Sequence, residues 1–137
     1  MDRRTRAEQL QLKYRRTAGK ARGREQRIDP AAIDDLLRRT ESSDAEERNQ
    51  AALLLCPCHV QANVTSVWDR LLAMVDDPNL HVRTTIFHTL CDGSPREREG
   101  DVVQALEKLY HDPDPKLRRR ARQLLASYRR TGKLNIL

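Results

Sequence analysis

Arg48, Arg83 and Arg118 stand 35 residues apart, and a register of that period aligns the apolar residues of the chain as well. Ile33, Trp68 and Val103 fall in one column, Leu36, Leu71 and Leu106 in a second, and Leu55, Leu90 and Leu125 in a third. Ala51, Ile86 and Ala121 coincide, as do the polar residues Asp44, Asn79 and Asp114. Repetition on this scale means that one supersecondary unit recurs and buries its apolar face against its neighbours. It excludes most compact folds before any single residue is considered.

Each unit reads as two helices. The first carries apolar residues at i, i+3, i+4 spacing: Ile33, Leu36 and Leu37; Trp68, Leu71, Leu72 and Val75; Val103, Leu106, Leu109 and Tyr110. Short turns follow, over residues 41–44, 76–79 and 111–114. The second helix opens at Asp44, Asn79 or Asp114, whose side chains accept from the unpaired N–H groups of the first turn. Glu47, three residues after Asp44, completes a capping-box pattern, and Pro115 suits a first helical position. The second helices are expected to end near Leu55, Leu90 and Ser127, with Gly93 and Gly132 as stop signals. Asp29-Pro30 starts the folded part.

The turn motif Asp-Pro-Asn/Asp-x-x-Val/Leu-Arg stands here as Asp77-Pro78-Asn79-Leu80-His81-Val82-Arg83 and as Asp112-Pro113-Asp114-Pro115-Lys116-Leu117-Arg118. With the helix pairs, it makes residues 29–131 resemble HEAT repeats, the first repeat departing from the motif at Ser43 and Glu47. The stretches around Cys56 and Cys91 and the ending from Ser127 to Lys133 are similar to those of small bacterial HEAT-repeat proteins. The resemblance implies an all-α fold, a right-handed α-α superhelix or armadillo-like solenoid of three helix pairs, over about residues 29–58, 59–93 and 94–131. A basic arm over residues 1–28, helical up to Ala18 and then a glycine-containing linker, precedes the repeats, and a short apolar tail over 132–137 follows.

A hydrophobic fraction of 38% and a charged fraction of 34% over 137 residues suit a thin, surface-rich architecture. No apolar run approaches the roughly 20 residues that span a bilayer, so no membrane partner is expected. Three cysteines and no apolar leader segment point to reduced thiols in the cytoplasm. Charge is divided in three: residues 1–29 carry ten basic and four acidic side chains, residues 30–115 eight and sixteen, and residues 116–137 eight and none.

Cys56, Cys58, His59 and Cys91 are the ligand types of a zinc site. The spacing opposes it. Cys56 and Cys91 share a repeat position, which puts them about 8–10 Å apart, and one residue between Cys56 and Cys58 is tighter than zinc sites use. Ala126 occupies the same column, so Cys56 and Cys91 read as core, and no metal or other cofactor is expected. No glycine-rich phosphate loop, carboxylate pair or i, i+4 ligand pair is present, and the chain is shorter than HEAT-like DNA glycosylases need to wrap a duplex, so no enzyme is expected. Trp68 falls in a core column. By resemblance to HEAT repeats, Arg48, Arg83 and Arg118 pair with the turn aspartates Asp77 and Asp112.

Two features carry functional expectations. In the last helix, Leu117, Ala121, Leu124, Leu125 and Tyr128 form the buried stripe, leaving Lys116, Arg119, Arg120, Arg122, Arg129 and Arg130 outside without one anion. With Arg15 and Arg16 of the arm, that is the footprint of an anionic partner, above all nucleic acid or ribonucleoprotein. The second helices present Glu46/His81/Lys116, Asn49/Thr84/Arg119 and Gln50/Thr85/Arg120 as expected exposed columns, grading from acidic to basic. In HEAT solenoids this row lines the concave face, so Glu46, His81, Thr84, Thr85 and His88 are candidate contacts to a protein partner. The same gradient suits head-to-tail self-association.

Overall fold

A computed structural model describes residues 19–20, 26–27, 29–56 and 64–134. The chain divides into two compact units, Met1–Trp68 and Asp69–Leu137. In the first, Gly19–Lys20 (β1) and Gln26–Arg27 (β2) form a two-residue antiparallel ladder with Gly19 opposite Arg27, within the stretch read as linker. All other described elements are helical. Helices α1 (Pro30–Arg39) and α2 (Ala45–Leu54) pack together. Helix α3 (Thr65–Ala73) contains the division between the units and tightens into a 3₁₀ turn over Met74–Asp76. In the second unit that turn packs on α4 (Leu80–Asp92) and on α5 (Glu99–Leu109), and α5 packs on α6 (Pro115–Thr131).

The helices begin where short-range chemistry dictates. Asp29 Oδ1 accepts from Ala31 N–H at 3.0 Å. Asp44 Oδ1 accepts from Glu46 N–H at 3.0 Å, Asn79 Oδ1 from Val82 N–H at 3.2 Å, and Asp114 Oδ2 from Leu117 N–H at 2.9 Å. Each satisfies an N–H that the helix itself leaves unpaired. Gly93 and Gly132 end α4 and α6 with φ of 136° and 68°, a region costly to residues with a Cβ. Helix α6 continues four residues past the expected end at Ser127, to Thr131.

The capping box expected of Glu47 is replaced by a longer connection. Asp44 N–H donates to Ser42 Oγ at 3.1 Å, the Ser42 hydroxyl donates to Glu47 Oε2 at 3.0 Å, and Arg39 Nη1 donates to Glu47 Oε1 at 2.7 Å. A buried carboxylate is held better by a guanidinium and a hydroxyl than left for a terminal amide.

Three columns of the register are buried throughout: Leu36/Leu71/Leu106, Ala51/Ile86/Ala121 and Leu55/Leu90/Leu125. The Ile33/Trp68/Val103 column is not. Trp68 is buried, but Ile33 and Val103 are half-buried, and Val67 and Val102 one residue earlier are the enclosed ones. At 3.6 residues per turn, adjacent positions compete for the edge of an apolar stripe, and the bulk of Trp68 draws it in where smaller residues stay at the margin. Leu124 and Tyr128 likewise lie at the edge of the α6 stripe, half-buried, beside the enclosed Leu117, Ala121 and Leu125.

Candidate functional site

The repeated arginines build the framework on which the charged surface stands. Arg48 Nη1 donates to the carbonyls of Ser42 and Ser43, Arg83 Nη1 to those of Asp77 and Pro78, and Arg118 Nη1 to that of Asp112. Each arginine thus ties its helix to the turn before it. Arg83 also reaches the following turn: Nε donates to Asp112 Oδ2 at 2.7 Å and Nη2 to Asp112 Oδ1 at 3.2 Å. The pair is enclosed, with side-chain exposures of 12% and 3%. Asp112 Oδ1 accepts from Asp114 N–H as well, so one carboxylate fixes the turn, the start of α6 and the guanidinium of α4. This is the pairing expected of Arg83.

On α6 the buried residues Leu117, Ala121 and Leu125 lie four apart and define one face. Lys116, Arg119, Arg120, Arg122, Arg129 and Arg130 are all exposed, as expected. They are not one patch. Lys116 and Arg120 line a groove of about 190 Å³ with Leu80, Thr84, Asp114 and Leu117. Arg119 and Arg122 line a trough of about 410 Å³ on the other flank, with Pro115, Arg118, Gln123 and Ala126. The Arg122 guanidinium lies 4.3 Å from the Tyr110 ring centroid and its Nε donates to the Tyr110 carbonyl at 3.1 Å. A cation over an aromatic face is attracted by the ring quadrupole, so Arg122 is held in place and not free to sweep.

The expected concave ridge is only partly a surface. His81 and His88 are exposed, Glu46 is exposed and Thr84 is half-buried, its Oγ1 donating to the Leu80 carbonyl at 2.9 Å. Thr85 and Asn49, placed on that ridge by the register, are enclosed at 6% and 2% exposure. This corrects Thr85 as a partner contact. Helix α4 is buried over a wider arc than α6, through Val82, Thr85, Ile86, Phe87, Thr89 and Leu90, so a column exposed at Arg120 is interior at Thr85. Leu80, by contrast, is a large apolar residue left 40% exposed in the groove, which the register did not single out.

Cys56 is buried and Cys91 half-buried, in keeping with packing roles. Burial, and secondarily the charge of Asp92, push the Cys91 thiol from 9.0 up to about 11, against a smaller opposing effect of Arg120. A thiol held protonated is a poor nucleophile and metal ligand. Among the described residues no group of three or more His, Cys, Asp or Glu side chains is placed to hold a metal ion. Cys58, His59, Arg15, Arg16 and the tail residues Ile136 and Leu137 lie outside the described residues.

Two further ion-pair groups escaped the sequence reading. Arg98 Nη1 meets Asp69 Oδ1 at 2.8 Å and Asp101 Oδ2 at 3.3 Å, and Lys108 Nζ meets Asp76 Oδ2 at 2.9 Å. The Asp69 hydrogen bond is the chief reason that the Arg98 pKa is raised further. Arg98–Asp69 and Arg83–Asp112 are both separated by 29 residues, so a search for opposite charges at that interval finds both. Arg98, Asp69, Asp101 and Lys108 border a groove between α3 and α5, where the Arg98 and Lys108 pairs act as latches at the surface.

A family model of HEAT repeats matches residues 33–126, and the chain belongs to the HEAT-repeat family. No curated protein and no solved structure matches it. Members of this family serve as binding scaffolds, and the stacked helix pairs of an all-α solenoid are the basis of that role. No helix among the described residues is long and apolar enough to cross a membrane.

Proposed function

We propose that this protein is a non-enzymatic binding module that lays α6 against the phosphate backbone of nucleic acid or a nucleoprotein. The observation that carries this reading is the one-signed charge of α6. Six exposed cations occupy the helix, and no acidic residue occurs from 116 to the end of the sequence. Surface helices ordinarily mix signs, because like charges repel at i, i+3 and i, i+4. A helix that sustains Lys116, Arg119 and Arg120 within one turn gains from a polyanion that relieves the repulsion. Lys116 and Arg120, flanking the exposed Leu80 and Thr84 groove, suit a sugar–phosphate strand with apolar and polar edges. Thin aromatic content favours backbone contacts over base stacking.

Counterion release sets the test. Affinity for duplex DNA should fall by roughly 0.9 log unit per log unit of salt for each phosphate neutralised. The Lys116→Glu/Arg119→Glu/Arg120→Glu/Arg130→Glu variant spares Arg118 and Arg122, which tie α6 to α5 and its turn. It should lose binding to a 20-base-pair DNA duplex and to a structured RNA hairpin at low salt. Unchanged affinity for both would overturn the reading.

A further inference from the structure

Arg83 and Arg118 hold their guanidinium groups by the same first contact and differ in the second. Each directs Nη1 at a carbonyl six residues back in its own turn, at 3.0 Å in both cases. Arg83 then uses its Nε and Nη2 edge as a fork for the Asp112 carboxylate. Arg118, among the described residues, makes the carbonyl contact alone. Arg118 lines the 410 Å³ trough on one flank of α6, together with Pro115, Arg119, Arg122, Gln123 and Ala126.

The register also shows how this flank differs from its counterparts. Positions 119, 122 and 126 correspond to Thr84, Phe87 and Cys91 in α4, to Asn49 and Ala52 in α2 and to Cys56 just past its end. Phe87, Asn49, Ala52 and Cys56 are buried, whereas Arg119, Arg122 and Ala126 are exposed. Two of three positions that elsewhere suit packing have become arginine. A further repeat of the same kind would bury those charges without partners, at a cost of several kcal/mol per ion. An acidic occupant is one that this surface can take without stranding those charges.

We infer that the α6 trough is a docking site for an aspartate-bearing turn of a partner protein, with Arg118 gripping the carboxylate as Arg83 grips Asp112. The Arg83–Asp112 pair is the template for the geometry: a carboxylate that accepts a bidentate guanidinium while also accepting the N–H two residues on. A planar fork matches a carboxylate in two parallel hydrogen bonds, which an ammonium cannot reproduce. Arg119 and Arg122 supply charge complementarity around it, and Pro115 and Ala126 an apolar floor. A second copy of this chain is a poorer occupant, because the first repeat places Ser42 where the other two place Asp77 and Asp112. The proposal goes beyond the phosphate reading, because that reading rests on the six exposed cations of α6 and this one on Arg118, which is not among them.

The probe is a synthetic peptide copying residues 99–114, acidic overall and containing the template turn, titrated into the full-length ¹⁵N-labelled protein. The peptide is a short helix that orders only on binding, so affinity on the order of millimolar is expected. The Arg118 Nε–H resonance and the amides of Gln123 and Ala126 should shift. They should shift with an Asp101→Asn peptide too, but not with an Asp112→Asn peptide of the same charge. Arg118→Lys in the protein keeps the charge and removes the fork, and should weaken peptide binding about tenfold or more. The same variant should bind the DNA duplex as before, which separates failure here from failure of the phosphate reading. Equal response to the two asparagine peptides, shifts confined to α4 and α5, or full peptide affinity in Arg118→Lys would each overturn the proposal. So would concentration-dependent self-association, seen by sedimentation, that Arg118→Lys abolishes, because the occupant would then be a second copy.

Discussion

Arg83 and Arg118 share a position in the repeat but not an environment, and their substitutions should differ accordingly. Arg83→Ala strands the enclosed Asp112 carboxylate, and such losses cost about 3–5 kcal/mol. Arg118→Ala removes one hydrogen bond to a carbonyl from a half-exposed side chain and should cost about 1 kcal/mol or less. Urea unfolding of the two variants decides the point, and equal losses would mean that Asp112 is adequately held without Arg83. Cys91 offers a second test. In a Cys56→Ala/Cys58→Ala background, its alkylation by iodoacetamide should keep accelerating above the ordinary thiol pKa of 9.0 toward about 11. A plateau near 9 would show the thiol to be as accessible as in a peptide. The sign for stability follows. Between pH 9.0 and about 11 the unfolded thiol ionises while the folded one stays protonated, so this contribution is intact below pH 9 and is lost as pH rises.

At the scale of elements, helix starts were legible because a cap is a local device. Asp44, Asn79 and Asp114 reach N–H groups two or three residues away, and no distant partner is needed to place them. Asp114→Ala should cost about 1 kcal/mol, read as a lowered melting temperature with α6 the first helix to lose amide-exchange protection. Protection unchanged along the first turn of α6 would contradict that role. Glu47 was misread for the complementary reason. Its spacing from Asp44 is that of a capping box, but Arg39 and Ser42 come from the neighbouring helix and turn and take both carboxylate oxygens. The charge of α6 was legible residue by residue, because its six cations surround an unambiguous stripe. The division of Lys116 and Arg120 to a groove and of Arg119 and Arg122 to a trough was not, since it depends on which side of α6 faces Leu80 and Thr84.

At the scale of the whole molecule, a repeat core predicts that equivalent deletions weigh alike. Leu36→Ala and Leu106→Ala remove enclosed side chains of the same column and should each cost about 2–5 kcal/mol, measured by chemical denaturation. A loss confined to one of them would mean that the register does not mark equivalent interiors. The 35-residue register by itself determined the all-α class, the three helix pairs, the caps of the second helices and three fully buried apolar columns, because periodic patterning and short-range hydrogen bonding are properties of the chain itself. Only the tertiary structure decided that Thr85 is interior while Arg120 is exposed, that Arg83 has a carboxylate while Arg118, among the described residues, makes only its carbonyl contact, and that Leu80 borders a cationic groove. Residues equal in the register become unequal when one helix is covered over a wide arc and another over a narrow one. Coverage is set by what packs alongside, which no position in the repeat encodes.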